Sequence, residues 1–109
     1  MRIRRCLTED EQAAALRTPL CECQDQLAKL AWALAHPARL LILAILRKQS
    51  ACLCSDLVER MPLSQSTVSE HLKVLKEAGL VQVETESGRS CYTICEQGLQ
   101  RLMSFVADL

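Results

Sequence analysis

The chain has 109 residues, half of them apolar, with 13 basic and 13 acidic side chains. That is one domain with a modest core; the zero net charge gives no support for nucleic acid and mildly opposes it, and three aromatics (Trp32, Tyr92, Phe105) argue against a single-strand stacking platform. The longest apolar run, 40–46, falls short of the ~20 residues of a membrane span, and no apolar stretch follows the basic N-terminus, so no membrane partner and a cytoplasmic location are expected.

In chain order, residues 1–24 read as an N-terminal arm and helix. Arg2, Arg4 and Arg5 make the arm basic. Thr8 followed by Glu9, Asp10 and Glu11 is a helix-start signal, and that helix runs to about Arg17 before Pro19 breaks it. Cys21 and Cys23 fall in the link or at the start of the next helix. Leu27, Leu30, Ala31 and Leu34 recur at i, i+3, i+4 and i+7, which predicts an amphipathic helix over 25–35. His36-Pro37 breaks it, and Pro37 suits the first turn of a helix, ARLLILAILRK, apolar on most sides and therefore expected deep in the core. Residues 49–54 read as a connection and 55–61 as a short helix.

Pro62 ends that helix, because the residue before proline is pushed out of the α region. Ser64 can cap the next one. Val68, Leu72 and Leu75 then form an apolar stripe, leaving Gln65, Ser66, Ser69, Glu70 and Lys73 outside, with Lys76 in the last turn and Gly79 as the closing residue. Residues 55–78 are thus a helix-turn-helix whose second helix shows amides, hydroxyls and lysine, the chemistry of a major-groove reader. From Val81 the pattern alternates, Ser87-Gly88 supplies a tight turn, and 81–94 form a two-stranded wing. Residues 97–109 form a last helix with more apolar surface than one side of a small domain needs, read as a dimerisation helix. The expected fold is mainly α with a small β-hairpin: a single winged helix-turn-helix domain over 1–109, homodimeric.

On that surface Gln65, Ser66 and Ser69 would face base edges of double-stranded operator DNA. His71, on the outer part of the reading helix, Lys73 and Arg39 would lie nearer phosphate, and Arg89 at the wing turn would enter the minor groove. From Ser64 to the end of the wing, acids (Glu70, Glu77, Glu84, Glu86) outnumber bases (Lys73, Lys76, Arg89), so contacts from the arm and Arg39 gain weight.

The segments LAHPARLLILAIL, DLVERMPLSQSTVSEHLKVLKEAGLV and SGRSCYTI resemble the ArsR/SmtB family of metal-responsive bacterial repressors. The resemblance implies a homodimer, built from the first and last helices, that holds operator DNA until an inducer binds. It also implies that Cys52-Leu53-Cys54 is the family's Cys-x-Cys ligand site, although Ser55 intervenes before Asp56-Leu57 where the familiar form has the second cysteine directly before Asp-Leu. The family's zinc site of Asp, His and Glu on the last helix is missing from 97–109, whose only acid is Asp108.

Seven cysteines (Cys6, Cys21, Cys23, Cys52, Cys54, Cys91, Cys95), an odd number without a secretory signal, point to metal, redox sensing or buried thiols rather than a disulfide framework. Residues two apart in a helix diverge by ~200°, so Cys52 and Cys54 can share an ion only where the backbone is non-helical. Cys21 and Cys23 are the next candidates as ligands, then Cys6. Three thiolates suit As(III) or Sb(III); four suit Cd, Pb or Zn. The alternative is a thiol-redox or persulfide-responsive repressor of the same fold, with Cys91 and Cys95 or Cys52 as the reversible thiols. No Cys-x-x-Cys or phosphate loop marks an enzyme.

Overall fold

A computed structural model describes residues 22–49 and 52–109, apart from the side chains of Glu22, Cys23 and Cys52. The expectations for the basic arm, the helix over 8–17, Cys6 and Cys21 lie outside the described residues. Those residues form α1 (Glu22–Leu34), α2 (Pro37–Lys48), β1 (Cys52–Leu53), α3 (Cys54–Arg60), α4 (Gln65–Glu77), β2 (Val81–Glu86), β3 (Arg89–Ile94) and α5 (Glu96–Ala107). This is a winged helix-turn-helix: α3 and α4 are the helix pair, and β2–β3 is the wing. No single described helix is long and apolar enough to cross a membrane.

Local chemistry sets the boundaries. Pro37 occupies the first turn of α2, and His36 caps it, its Nδ1 accepting from the Ala38 N–H at 3.0 Å. Ser64 caps α4 by accepting from the Thr67 N–H at 3.3 Å. At the wing turn, Ser87 and Gly88 both take positive φ, 54° and 77°, as a two-residue hairpin loop matched to strand twist requires.

The core is a cluster of side chains from four helices and the start of β2. It includes Leu30 and Ala33 of α1, Ile42 and Leu46 of α2, Leu57 of α3, Val68, Leu72 and Leu75 of α4, then Leu80 and Val81. α2 is less immersed than its composition suggests. Ile42 and Leu46 are buried, but Leu40 and Leu41 are exposed, so it behaves as a one-faced helix.

The sheet has three strands, not the two of the predicted hairpin. Its order is β1-β3-β2, all neighbours antiparallel, with Cys52 opposite Tyr92 and Leu53 opposite Cys91. Residues 49–54 read as a connection because two residues carry no period; pairing with β3 is a tertiary event. The short helix starts at Cys54, one residue earlier than expected, where the Asp56 carboxylate reaches back to accept from the Leu53 N–H at 3.0 Å.

α5 is seated on the end of α4. The Cys95 N–H donates to the Leu80 carbonyl at 2.9 Å. Gly98 lies so close to the turn that a Cβ there would stand 1.9 Å from the Gly79 carbonyl oxygen. The last helix and the turn that closes the reading helix are therefore in backbone contact.

Candidate nucleic-acid interface and thiol site

The apolar stripe of α4 is buried, which turns the opposite face outward. Gln65, Ser66, Ser69, Glu70, Lys73 and Lys76 are all exposed there, and Arg89 is exposed at the wing turn. Five of the seven side chains expected to meet DNA thus share the open surface of α4 and the wing.

Arg39 and His71 do not. Arg39 Nη1 donates to the carbonyls of Trp32 at 3.0 Å and Ala33 at 3.2 Å. Those carbonyls belong to the last turn of α1, where a cation also suits the helix dipole. Its Nε donates to His71 Nδ1 at 3.3 Å, and its guanidinium carbon lies 4.9 Å from the centre of the Trp32 ring. The expected phosphate ligand is committed to bracing α1 and α2 against the reading helix.

His71 is half-buried rather than on the outer face, its ring 4.4 Å from that of His36. Burial pushes its pKa below 6.5, and the nearby His36 and Arg39 add to this against a smaller opposing effect of Glu70. With Nδ1 accepting, the neutral ring carries its proton on Nε2. The signal for this was present: His71 falls at i+3 between Val68 and Leu72, on the edge of the buried stripe.

The thiol site begins at the α3 start. Leu53, between the two cysteines, is extended (φ −74°, ψ 156°), so the backbone there is the non-helical one that a shared ion requires. Cys54 is half-buried, and its Sγ lies 3.6 Å from Ser69 Oγ on the reading helix. It lines a cleft of about 410 Å³ together with Gln65 and, from the wing, Arg89 and Ser90. The Tyr92 phenol is pushed up by burial and, secondarily, by Cys54. Of the four cysteines expected as ligands, Cys54 has a described side chain; Cys21 and the side chains of Cys23 and Cys52 lie outside the described residues. Among the described side chains no three His, Cys, Asp or Glu come close enough to hold an ion, so a site of three or more ligands at Cys54 needs at least one from outside them, such as Cys6, Cys21, Cys23 or Cys52, or from a second chain.

Cys91 and Cys95 are not arranged as a redox pair. Cys91 lies in β3 opposite Glu84, whereas Cys95 follows that strand as the cap residue of α5, its Sγ accepting from Gln82 Nε2 at 3.6 Å. Four residue steps of extended chain separate their Cα atoms by about 13 Å, where a disulfide needs less than ~7 Å.

Comparison with known proteins agrees with this architecture. Residues 36–83 match the model of the bacterial regulatory protein, arsR family. A "possible transcriptional regulator for arsenical resistance" of known crystal structure is 31% identical, with a TM-score of 0.66 over 77% of this chain and 82% of its own. The chain belongs to the ArsR family. A homodimeric winged helix-turn-helix DNA-binding domain from Mycobacterium bovis, described as that of "a possible ArsR-family transcriptional regulator" and solved by NMR, is 31% identical, with a TM-score of 0.64 over 92% of this chain and 84% of its own. A transcriptional repressor SmtB homolog from Synechocystis is 34% identical over 84 residues, 77% of this chain, and this chain spans 63% of that protein's length. The family is one of transcriptional regulators, not enzymes.

Proposed function

We propose that this ArsR-family chain is a homodimeric transcriptional repressor of a metal(loid)-resistance operon. It binds operator DNA through α4 and the wing and is released by a thiophilic ion held at Cys54 and Cys52. The observation that carries the reading is the 3.6 Å contact between Cys54 Sγ and Ser69 Oγ. Ser69 is on the exposed face of the reading helix, so a group added to the Cys54 sulfur meets that helix directly. Cys54 would exchange its thiol proton for a metal–sulfur bond of ~2.3 Å or longer. Ser69 must then yield, and α4 moves relative to α3.

Such an ion favours release only by the amount it prefers the off-DNA arrangement, typically ~1–3 kcal/mol. As(III) or Sb(III) suits three thiolates, with Cys21 or Cys23 completing the set; Cd, Pb or Zn would need both. The description of one relative as a "possible transcriptional regulator for arsenical resistance" supports the metalloid. Dimerisation is supported by Met103 and Val106, left exposed along α5, by Leu109, exposed just beyond its end, and by the homodimeric relative. Two reading helices would then meet half-sites ~34–36 Å apart.

The test is fluorescence anisotropy on a duplex from the DNA upstream of the chain's own coding region, titrated with arsenite, antimonite, cadmium, lead and zinc. Arsenite or antimonite is expected to release wild type at about one ion per subunit, and the folded variants C52S and C54S are expected to stay bound. Release of C54S at unchanged potency would place the ion elsewhere. Release by peroxide or polysulfide and by no ion would make the chain a redox sensor.

A further inference from the structure

We infer that the groove between α4 and the wing is a seat for a backbone phosphate of duplex DNA, held by Lys73 and Lys76 from the helix and by the hydroxyls of Thr85 and Ser90 from the wing. This rests on the DNA-binding reading and adds Lys76, Thr85 and Ser90 to the contacting surface. The groove has a volume of about 250 Å³. Lys73 and Lys76, one helical turn apart on α4, supply one wall. Thr85 and Ser90 are direct cross-strand partners on the other, with their hydroxyl oxygens 3.3 Å apart. One hydroxyl proton bridges that pair, leaving the second free to donate to an anion oxygen. Ser69 and the apolar faces of Leu72, Val83 and Tyr92 complete the lining. Such apolar groups exclude water and strengthen attraction between the ammonium groups and a phosphate.

Three of the four acids of the same segment are turned elsewhere; the fourth, Glu70, shares the exposed face of α4 one turn before Lys73 but does not line the groove. Val83 and Thr85 line the groove, so Glu84 and Glu86, alternating with them along β2, lie on the opposite face of the wing. Glu77 lines a separate groove on the other flank of α4, beside Trp32 and Ala28. A segment in which acids outnumber bases therefore presents a cationic channel. Both lysines are exposed, so a lone small anion would gain little from them. A duplex strand that also reaches Gln65, Ser66 and Arg89 gathers several contacts at once, which is how phosphate contacts accumulate affinity.

Anisotropy with the upstream duplex and with a scrambled duplex of equal length, over a salt series, tests the assignment. K76Q is expected to weaken both duplexes by the same factor. It should also make the slope of log affinity against log salt shallower by about 1.8, one contact from each subunit of the dimer, so that the affinity drop between about 50 and 200 mM salt narrows about 12-fold. T85V is expected to weaken both duplexes equally without changing that slope, since it removes a hydroxyl and no charge. Inorganic phosphate at matched ionic strength should compete no better than chloride; preferential competition that K76Q abolishes would assign the groove to a free anion instead. A wild-type slope retained in K76Q, or a loss confined to the upstream duplex, overturns the groove assignment alone. Failure of the wild-type chain to bind either duplex overturns the DNA-binding reading beneath it.

Discussion

Replacing Gly98 with alanine sets two opposed effects against each other. Gly98 lies in the first turn of α5, where alanine is the better helix former by up to ~1 kcal/mol. The added Cβ, however, would stand 1.9 Å from the Gly79 carbonyl oxygen and 2.9 Å from its carbon. Both are backbone atoms, so no side-chain rotation relieves the overlap. Either α5 or the turn closing the reading helix must shift by more than an ångström. Overpacking of this kind costs ~1–3 kcal/mol and occasionally more, and against a rigid turn the upper part of that range applies. The net loss is about 2 kcal/mol, or a fall in Tm of about 8–16 °C for a domain of this size. The assay is far-UV circular dichroism melting at one fixed chain concentration, because dimerisation makes Tm concentration-dependent. Gly79→Ala is the control: φ there is +80° but nothing lies within 4 Å, so it costs only the left-handed backbone, ~1–2 kcal/mol. A G98A chain that melts at or above wild type would refute the close packing of α5 on α4.

Arg39→Lys keeps the charge but loses the fork that bonds two α1 carbonyls and His71. It should destabilise by about 1–2 kcal/mol, seen as a lower urea midpoint at unchanged slope. Weakened DNA binding at unchanged stability would return Arg39 to a phosphate. His71 carries a lowered pKa in the folded chain, so its contribution is fully present above 6.5 and is lost as pH falls below that value toward the folded pKa. Urea midpoints measured between about pH 8 and 5 should therefore decline on the acid side, and H71Q should flatten that decline; an identical decline in both chains would remove His71 as its source.

The order and type of elements follow from local physics that a sequence displays directly. The 3.6-residue stripe of Val68, Leu72 and Leu75, the caps at His36-Pro37 and Ser64, the stop at Gly79 and the Ser87-Gly88 turn act within a few residues of where they are written. Together they specify the winged helix-turn-helix and its exposed reading face before any tertiary contact forms. The Cys-Leu-Cys element was equally visible, though its register against Asp56 was not enough to say which sulfur meets which helix.

Tertiary packing decided what periodicity leaves open. A stripe says which face of a helix is buried, but not which flank beside it meets a neighbour. His71 and Arg39, polar and near the boundary, went inward because Trp32, Ala33 and His36 lie across from them, contributed by a chain segment more than thirty residues away from His71. The pairing of Cys52–Leu53 with β3, the contact of Gly98 with Gly79 and the 3.6 Å approach of Cys54 to Ser69 likewise join residues far apart in sequence. Charge was decided last: counted along the chain, 13 acids and 13 bases cancel, but strand alternation and helix flanks place Glu84, Glu86 and Glu77 away from the groove that Lys73 and Lys76 line. Net charge is a sum over residues, whereas the field a phosphate meets depends on which face each residue occupies.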